Sequence, residues 1–312
     1  MQIGKVSENI LKRSVFKQIH HRRPEVLLHP GVGEDCSAVE AGEGEVLVFS
    51  VDPITATEKG MGTFAVHVTA NDLASSGAEP VGIMTSIILP PRKREKYLRE
   101  LMGEIEAACR ELEIEIMGGH TEISNVVNQP VVTVTGVGKV KKEKLVSTGG
   151  LQVGDDLVLT KWAGLEGTAI IAAQKREKLL ETLPEELVDT AADFYQYLSV
   201  VPEAKIAVET GVSAMHDVTE GGIFGALWEI GAAADLGISA DLTKIPIRQE
   251  TIEVCEVFGI NPYQMMSSGS MLIGCAKGNL LVDRLKEAGI PAAVIGRATD
   301  SNDRVITNGE EI

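Results

Sequence analysis

The first half of the chain contains three apolar runs that constrain its fold more than any other feature. Residues 46–51, 81–89 and 131–137 are nearly continuous or alternating runs rich in Val, Ile and Leu, and they predict buried strands. The strongly amphipathic helix predicted in this half covers residues 98–112. One such half leaves a large apolar face uncovered. A twofold self-pairing would bury this face; alternatively, loops and the second half of the chain cover it.

The predicted elements alternate irregularly along the chain, and several predicted strands pair naturally as neighbours. The pattern therefore favours an α+β fold in both halves over one doubly wound parallel sheet. The charged, apolar-poor segment 139–150 predicts a domain boundary. We accordingly divide the chain into an N-terminal domain, residues 1–148, and a C-terminal domain, residues 149–312. Further helices are predicted over 7–20, 63–76, 202–209 and 219–234 and after Gly164, and further strands over 114–117, 157–160, 214–217, 270–275 and 292–295.

The charge balance argues against two classes of binding partner. The chain has 29 Lys and Arg against 45 Asp and Glu, a formal net charge of −16, whereas nucleic acids and anionic membranes require clustered basic residues. No apolar run reaches 18 residues and no signal peptide is recognisable, so we expect a cytoplasmic protein without a membrane span. The four cysteines have no metal-binding spacing. Only Cys36, which adjoins an acidic segment, is a candidate for chemistry.

Acidic residues recur in short glycine-bearing or strand-ending segments of the first half. These are Gly31–Asp35, Asp52 at the end of an apolar strand, Asn71-Asp72 in a predicted helix, and Gly118–Glu122 directly after a strand. Carboxylates hold the Mg²⁺ ions that bridge phosphate oxygens, and glycines let the backbone approach those oxygens. Together the segments favour polyphosphate chemistry. Taken singly, each has a structural alternative: a turn, a helix N-cap, an Asp bonded to neighbouring backbone, or an ordinary loop.

Two segments of the second half combine glycines with a predicted helix start. His216–Gly222 and Lys161–Thr168 each place glycines at the entrance of a helix, where backbone N–H groups can receive an anion. The alternative for the first segment is that Asp217 or Thr219 caps the helix.

In this order, the segments resemble the superfamily of aminoimidazole ribonucleotide synthetase. Its members include formylglycinamidine ribonucleotide synthetase, selenophosphate synthetase, thiamine-monophosphate kinase and the carbamoyl dehydratase of hydrogenase maturation. Gly77–Pro80 and Gly164–Ile170 look closest to the hydrogenase-maturation group. The resemblance implies an N-terminal α/β domain that pairs with its copy in a shared barrel, and a C-terminal α/β sandwich. It also implies a homodimer with ATP and Mg²⁺ bound in a cleft between the domains and beside the dimer partner.

The resemblance further implies roles for individual residues. The predicted metal ligands are Asp35, Asp52 and Asp72, and the predicted nucleotide-binding residues are Gly33, Asp35, Asp52, Asn71, Asp72, Gly118, Gly119 and Thr121. His120 and Asp217 are the predicted catalytic residues. His120 departs from most branches, which have an acidic residue at this position. Selenophosphate synthetases share the histidine, but their Cys-Gly-Lys segment is missing from the N-terminal region here.

The predicted function is that of an ATP- and Mg²⁺-dependent enzyme that activates an oxygen atom of a small-molecule substrate by phosphoryl transfer. Carbamoyl dehydratases of the group end in a cysteine that carries the substrate, whereas the last cysteine here is Cys275 and the sequence ends Asn308-Gly309-Glu310-Glu311-Ile312. We therefore expect a different substrate. Two alternatives stay open: a thiamine-monophosphate kinase-like phosphotransferase, and a non-catalytic nucleotide-binding partner protein that switches an assembly. A maturation protein is a further candidate partner.

Overall fold

The computed structural model describes residues 8–20, 22–55 and 60–309, which form two mixed sheets of six strands each. The strands are β1 (Val26–Leu28), β2 (Ser37–Gly42), β3 (Glu45–Ile54), β4 (Glu79–Leu89), β5 (Glu115–Ile123), β6 (Val131–Lys141), β7 (Asp156–Thr160), β8 (Ala214–Asp217), β9 (Gly237–Asp241), β10 (Met271–Cys275), β11 (Ala292–Thr299) and β12 (Arg304–Thr307). The helices are α1 (Glu8–Ser14), α2 (Met61–Ser75), α3 (Glu95–Glu111), α4 (Leu165–Gln174), α5 (Arg176–Leu179), α6 (Glu185–Ala192), α7 (Val201–Thr210), α8 (Gly222–Ala234), α9 (Gln249–Phe258) and α10 (Gly278–Glu287).

The first sheet has the strand order β1-β2-β3-β6-β4-β5 and is covered by helices on one face. Its neighbouring strands are antiparallel except β4 and β5. Helices α2 and α3 pack on the covered face, toward which β3 and β6 direct alternate side chains. On the opposite face, Leu47, Val51 and Met84 are 38% to 61% exposed. The described part of the chain therefore leaves this open face uncovered at these three side chains, and the alternative that loops or the second half of the chain bury them is wrong there.

The second sheet has the strand order β12-β9-β11-β7-β10-β8 and is covered on both faces. Its neighbouring strands are antiparallel except β12 and β9. Helix α8 packs on one face, in a cluster with Leu157 and Leu159 of β7. Helices α7 and α10 pack on the other face, in a cluster with Val158. Because successive strand residues point to opposite faces, β7 contributes to both cores.

Helix α2 joins the two domains, and nearly all of its side chains are buried. The Phe64 ring meets the ring of Tyr195 edge-on, with their centroids 5.1 Å apart. Further along the helix, the Asn71 side chain donates a hydrogen bond to the Leu198 carbonyl at 2.8 Å and accepts one from the Val200 N–H at 2.9 Å. The helix that covers the first sheet is therefore also the surface on which the C-terminal domain docks.

The predicted α+β class and the two-domain architecture are confirmed, and most predicted helices are present with shifted ends. The helix predicted over 7–20 is shorter, because α1 ends at Ser14 and a separate 3₁₀ turn follows; Ser7 and residues 310–312 lie outside the described residues. Helix α8 begins at Gly222, later than predicted, after Gly221 in a left-handed conformation. None of the helices in the described part of the chain is long and apolar enough to cross a membrane. The division between residues 148 and 149 stays a prediction.

Two strands run further than predicted, which corrects the setting of two candidate segments. Strand β3 pairs with β6 as far as Ile54, so Asp52 lies inside a strand and not at its end. Strand β5 pairs with β4 through Ile123, so Gly118 and Gly119 belong to an edge strand and not to a loop. A Cβ atom at position 119 would overlap the carbonyl oxygen of Thr85. Close packing between the two strands therefore accounts for that glycine.

We expect Phe64→Ala to lower the free energy of unfolding by about 3–5 kcal/mol, because it leaves a cavity between the docked domains. Phe64 is 2% exposed and lies in a cluster with Leu165 and Leu198. Urea denaturation followed by far-UV circular dichroism measures the change. Leu280→Ala is the matched control, since Leu280 is 43% exposed and its loss should cost no more than about 0.5 kcal/mol. Equal effects of the two substitutions would contradict the assigned role of Phe64.

Candidate active site

Four aspartates from the two domains meet in one partly buried cluster, in which Asp72 and Asp217 are buried and Asp35 and Asp52 are half-buried. Asp35 precedes β2, Asp52 lies on β3 and Asp72 lies on α2, whereas Asp217 ends β8 in the C-terminal domain. The side-chain ligand atoms of Asp35, Asp217 and the neighbouring His216 lie within 4.8 Å of one another. The negative charges of Asp35, Asp52 and Asp217 each act on Asp72. The chain thus concentrates acidic side chains from both domains at the place where the domains meet.

Ser50 links the carboxyl groups of Asp52 and Asp72. Its hydroxyl lies 2.9 Å from Oδ2 of Asp52 and also contacts Oδ2 of Asp72. Ser50 and Asp52 are two residues apart on β3, so they share the sheet face on which α2 packs and from which it presents Asp72. Because a hydroxyl carries one hydrogen, Ser50 can donate to one carboxylate while it accepts a hydrogen bond from the other, protonated one.

Burial and mutual repulsion raise the pKa values of two cluster aspartates. For Asp72, burial is the largest cause and the charges of Asp217, Asp52 and Asp35 add to it, so its pKa lies well above the ordinary value. Burial and the charge of Asp35 raise the pKa of Asp217 to about 7. Like charges in a poorly solvated site cannot all ionise together. In the absence of a cation, the cluster therefore holds protons at neutral pH.

His216 is the positive partner of this cluster, a role that its sequence segment did not reveal. Its Nδ1 lies 2.8 Å from Oδ2 of Asp35, and its Nε2 lies 3.0 Å from Oε2 of Glu229. Although burial opposes the charged ring, Asp35 and Glu229 raise the pKa of His216 well above its ordinary value. The imidazolium therefore orients Asp35. Because both ring nitrogens are engaged, the oxygen atoms are the better metal ligands.

The donor set fits a hard divalent cation. Oδ2 of Asp217 is buried and has no hydrogen-bond partner, which is costly unless a ligand satisfies it. Asp35, Asp52 and Asp72 add further carboxylate oxygens beside it. Mg²⁺ prefers such oxygen ligands, and a cation removes the repulsion among them. These four aspartates could thus hold Mg²⁺; the cluster includes the three predicted metal ligands and the predicted catalytic Asp217.

Gly33 and Asn71 lie next to the cluster but have structural contacts of their own. Gly33 adopts φ +73°, and a Cβ atom there would approach the backbone oxygen of Glu229 to 3.1 Å, so the turn before Asp35 needs a glycine. The side-chain oxygen and nitrogen of Asn71 both bond the backbone of the C-terminal domain. Asn71 therefore fixes the docking of α2, and the structure directs neither group toward the cluster.

The predicted residues of β5 lie away from the cluster within one chain. Gly118, Gly119, His120 and Thr121 are all exposed on this edge strand. The register runs from Asp52 through β6 and β4 to Gly119, a separation of three strand spacings or about 14 Å. The His120 ring pairs with Glu122 at 3.2 Å. Strand alternation places His120 on the open face, opposite the side on which Asp52 lies.

The glycines at the starts of α4 and α8 serve close packing. The Gly164 N–H donates to Ser267 at 2.6 Å, and the Gly167 N–H donates to the Met266 carbonyl at 2.9 Å. A Cβ atom at Gly167 would overlap Met265, and one at Gly222 would approach the Tyr263 carbonyl to 2.5 Å. Close packing by neighbouring protein atoms thus accounts for these glycines. The interpretation of the two helix entrances as anion sites stays a prediction.

Cys36 is unsuited to act as a nucleophile in this setting. Its thiol is buried and donates to the backbone oxygen of Asp72 at 3.1 Å. Burial, together with the charges of Asp72, Asp35 and Asp217, raises the pKa of Cys36 well above its ordinary value. Since the thiolate is the reactive form, the thiol remains protonated and inert. The other three cysteines are also buried and unpaired by disulfides.

Comparison with known proteins places this geometry in a family. The N-terminal domain model of the AIR (aminoimidazole ribonucleotide) synthase related proteins matches residues 33–140, and their C-terminal domain model matches residues 152–308. A putative hydrogenase expression/formation protein of Methanocaldococcus jannaschii is 27% identical over 97% of this chain and 90% of its own length. The carbamoyl dehydratase HypE of Cupriavidus necator is 30% identical over 78% of this chain and 69% of its own length.

Solved structures share the fold. A chain of the HypE–HypF complex superposes with a TM-score of 0.77 at 20% identity, covering 90% of this chain and 92% of that one. The hydrogenase maturation protein HypE in complex with ATP gives a TM-score of 0.72 at 18% identity, covering 99% and 93%. At these identities the structures show the shared architecture, and the family models together span both domains. The chain therefore belongs to the family of AIR synthase related proteins.

Proposed function

We propose that this chain is an ATP- and Mg²⁺-dependent enzyme that activates an oxygen atom of a small-molecule substrate by phosphoryl transfer, in a role similar to that of hydrogenase-maturation proteins. The observation that carries the proposal is the meeting of four aspartates from both domains in one partly buried cluster, in which Oδ2 of Asp217 has no hydrogen-bond partner. A site of this kind suits a metal-bound polyphosphate, because the cation and the phosphates together satisfy the carboxylates.

In this proposal the aspartates hold the cation and His216 keeps them in place. When bound, Mg²⁺ neutralises charge on the phosphate oxygens and orients the transferred group. Asp35, Asp52, Asp72 and Asp217 would supply its protein ligands, and the imidazolium of His216 would fix the orientation of Asp35. The pKa of Asp217 is raised to about 7, so this carboxyl group can release its proton when the cation arrives at neutral pH.

The relatives support the proposal that the chain binds ATP, and they suggest a role in hydrogenase maturation. A structural neighbour is described as HypE in complex with ATP, and another as a complex of HypE with HypF. The relatives at 27% and 30% identity are named as a putative hydrogenase expression/formation protein and as the carbamoyl dehydratase HypE. We therefore include ATP and a maturation partner protein in the proposal for this chain, together with a small-molecule acceptor.

We expect Asp52→Asn and Asp72→Asn each to weaken Mg²⁺-ATP binding about tenfold or more, because each removes a charged ligand from a desolvated site. Isothermal titration calorimetry with ATP, with and without Mg²⁺, measures the affinity. Asp189→Asn is the matched control: its side chain is 56% exposed on α6 and pairs with Arg176, so its affinity should equal that of the wild type.

Unchanged affinity in both cluster variants would refute the proposed site. ADP release is followed in the same samples with candidate acceptors. Binding of Mg²⁺-ATP without turnover on any acceptor would refute the hypothesis that the chain is an enzyme. It would favour the alternative of a non-catalytic nucleotide-binding partner protein. Turnover on thiamine monophosphate would instead assign a kinase of that type.

The stability of the metal-free protein should depend on pH. Asp217 has a pKa of about 7 when folded against an ordinary value of 3.8, so the folded state binds more protons and loses stability as pH rises through this window. The raised pKa of His216 acts in the same direction above pH 6.5. We expect the unfolding temperature of the metal-free protein to decrease as the pH is raised from 5.5 to 7.5. The free energy of unfolding should decrease by at most about 1.4 kcal/mol per pH unit for each proton that the folded state binds in excess.

Differential scanning calorimetry across this range tests the pH prediction. Asp217→Asn should flatten the dependence, whereas Asp189→Asn should retain it. Added Mg²⁺ should stabilise the wild type more at pH 7.5 than at pH 5.5, because it competes with protons for the carboxylates. A stabilisation by Mg²⁺ that is equal at the two pH values would argue against a metal at this cluster.

We further propose that the chain forms a homodimer through the open face of the first sheet. Val51 is 61% exposed and Met84 is 45% exposed on that face, and a twofold pairing would bury them. His120 lies on the same face and about three strands from the cluster. In this proposal, the β5 residues Gly118–Thr121 serve a nucleotide bound at the partner's aspartates.

We expect the wild type to have twice the mass of the 33.3-kDa chain in light scattering at micromolar concentration. Val51→Asp should raise the dimer dissociation constant about tenfold or more, because pairing would bury an unpaired charge. Val153→Asp is the control, since Val153 is 56% exposed outside both sheets, and it should leave the dimer intact. A monomeric wild type with full ATP affinity would exclude this assembly.

The shared site has its own test. His120→Ala and Asp52→Asn should each impair Mg²⁺-ATP binding, and mixing the two proteins under subunit exchange should restore part of it, because one site of each mixed dimer is then intact. If mixing restores no binding, β5 does not serve the partner's site.

A further inference from the structure

Lys161 is a buried cation outside the aspartate cluster, and nothing in the proposed chemistry uses it. It directly follows β7, its side chain is 8% exposed and its backbone takes φ +53°, a left-handed conformation that is uncommon for a residue with a side chain. Its Nζ forms an ion pair with Glu203 of α7 at 2.6 Å, and Glu203 is 1% exposed. A buried charge at a strained backbone position needs a compensating role.

The ammonium group of Lys161 binds the chain just before α7. It donates to the carbonyl oxygens of Tyr197 at 2.9 Å, Ser199 at 2.6 Å and Gly269 at 2.9 Å. These three carbonyls use the three N–H donors of an ammonium group, and Glu203 balances its charge. Lys161 thus fixes residues 197–200, which we call the docking segment.

Asn71 holds the same docking segment from the N-terminal domain. Its amide group donates to the Leu198 carbonyl and accepts from the Val200 N–H, so the carbonyls of successive segment residues alternate between Lys161 and Asn71. The residue after Asn71 is Asp72, whose carboxyl group belongs to the cluster shared with Asp217. The docking segment therefore connects a rigidly held lysine of one domain to a cluster aspartate of the other.

We propose that Lys161 is a positioning residue that, through the docking segment and Asn71, holds Asp72 at the separation from Asp217 that a shared cation requires. The inference rests on the proposed metal site. Lys161 acts through position and not through its charge at the cluster, because its bonds go to the docking segment, Gly269 and Glu203. An uncharged side chain of similar length would fill the space but leave the segment free to shift.

Lys161→Met should weaken Mn²⁺ binding, measured by electron paramagnetic resonance with Mn²⁺ as the probe, by about 10- to 100-fold, as for other outer supports of a metal site. Hydrogen exchange of the Val200 amide in the metal-free protein should become about tenfold faster. Asn71→Ala should give the same two effects, and the double variant should add nothing to Mn²⁺ binding, because both residues act through one segment. Lys178→Met, an exposed lysine paired with Glu181, is the matched control.

A folded Lys161→Met variant with wild-type Mn²⁺ affinity would overturn the inference, and so would unchanged exchange at Val200. If that variant does not fold, Glu203→Gln decides: it lowers stability but keeps the three carbonyl bonds, so Mn²⁺ affinity should stay unchanged. If Glu203→Gln instead loses as much Mn²⁺ affinity as Asn71→Ala, Mn²⁺ affinity follows the stability of the fold alone, and the inference is overturned. A wild type that binds no Mn²⁺ would contradict the proposed function instead, and the Val200 exchange would still test the role of Lys161.

Discussion

Repulsion between carboxylates gathered in one partly buried cluster is the constraint on which the rest of the structure depends. Asp35, Asp52, Asp72 and Asp217 would separate if each domain were free to move, because poorly solvated like charges repel strongly. The chain keeps them together with a proton on the cluster, a hydroxyl bridge from Ser50 and a bridging imidazolium. Such local conflicts persist in folded proteins where the surrounding structure outweighs them, and the apolar docking of α2 supplies that surrounding structure here.

Helix α2 consequently has two functions that its sequence combines. One side closes the core of the first sheet with α3, and the other packs Phe64 and Asn71 against the C-terminal domain. A helix buried all round carries few charges and little amphipathic pattern, so Asp72 stands out in it. The position of one carboxylate in the cluster is thereby tied to the packing of both domains.

The sequence predicted much of the fold and part of the site, for identifiable reasons. Asp35, Asp52 and Asp72 stand beside glycines or inside apolar runs, where an acidic residue is locally unfavourable, so each could be singled out. The role of His216 could not be found this way, because its partner Asp35 is 181 residues distant. The available sequence signal for this role was a histidine directly before an aspartate at the end of a predicted strand. The glycines near α4 and α8 could not be assigned a role from sequence, since a glycine that receives an anion and one that allows close packing of a neighbouring segment look alike in sequence.

The two sheets differ in how many of their faces are covered by helices, and this difference has a consequence for biosynthesis. Among the described residues, the second sheet has helices packed on both faces, whereas the first has helices packed on one face. Synthesis proceeds from the N-terminus, and domains generally fold as they emerge. The half with the uncovered apolar face is therefore made first and waits on the ribosome while the self-sufficient half is still being translated. Nascent chains on neighbouring ribosomes of one messenger would present this face to each other before either chain is released.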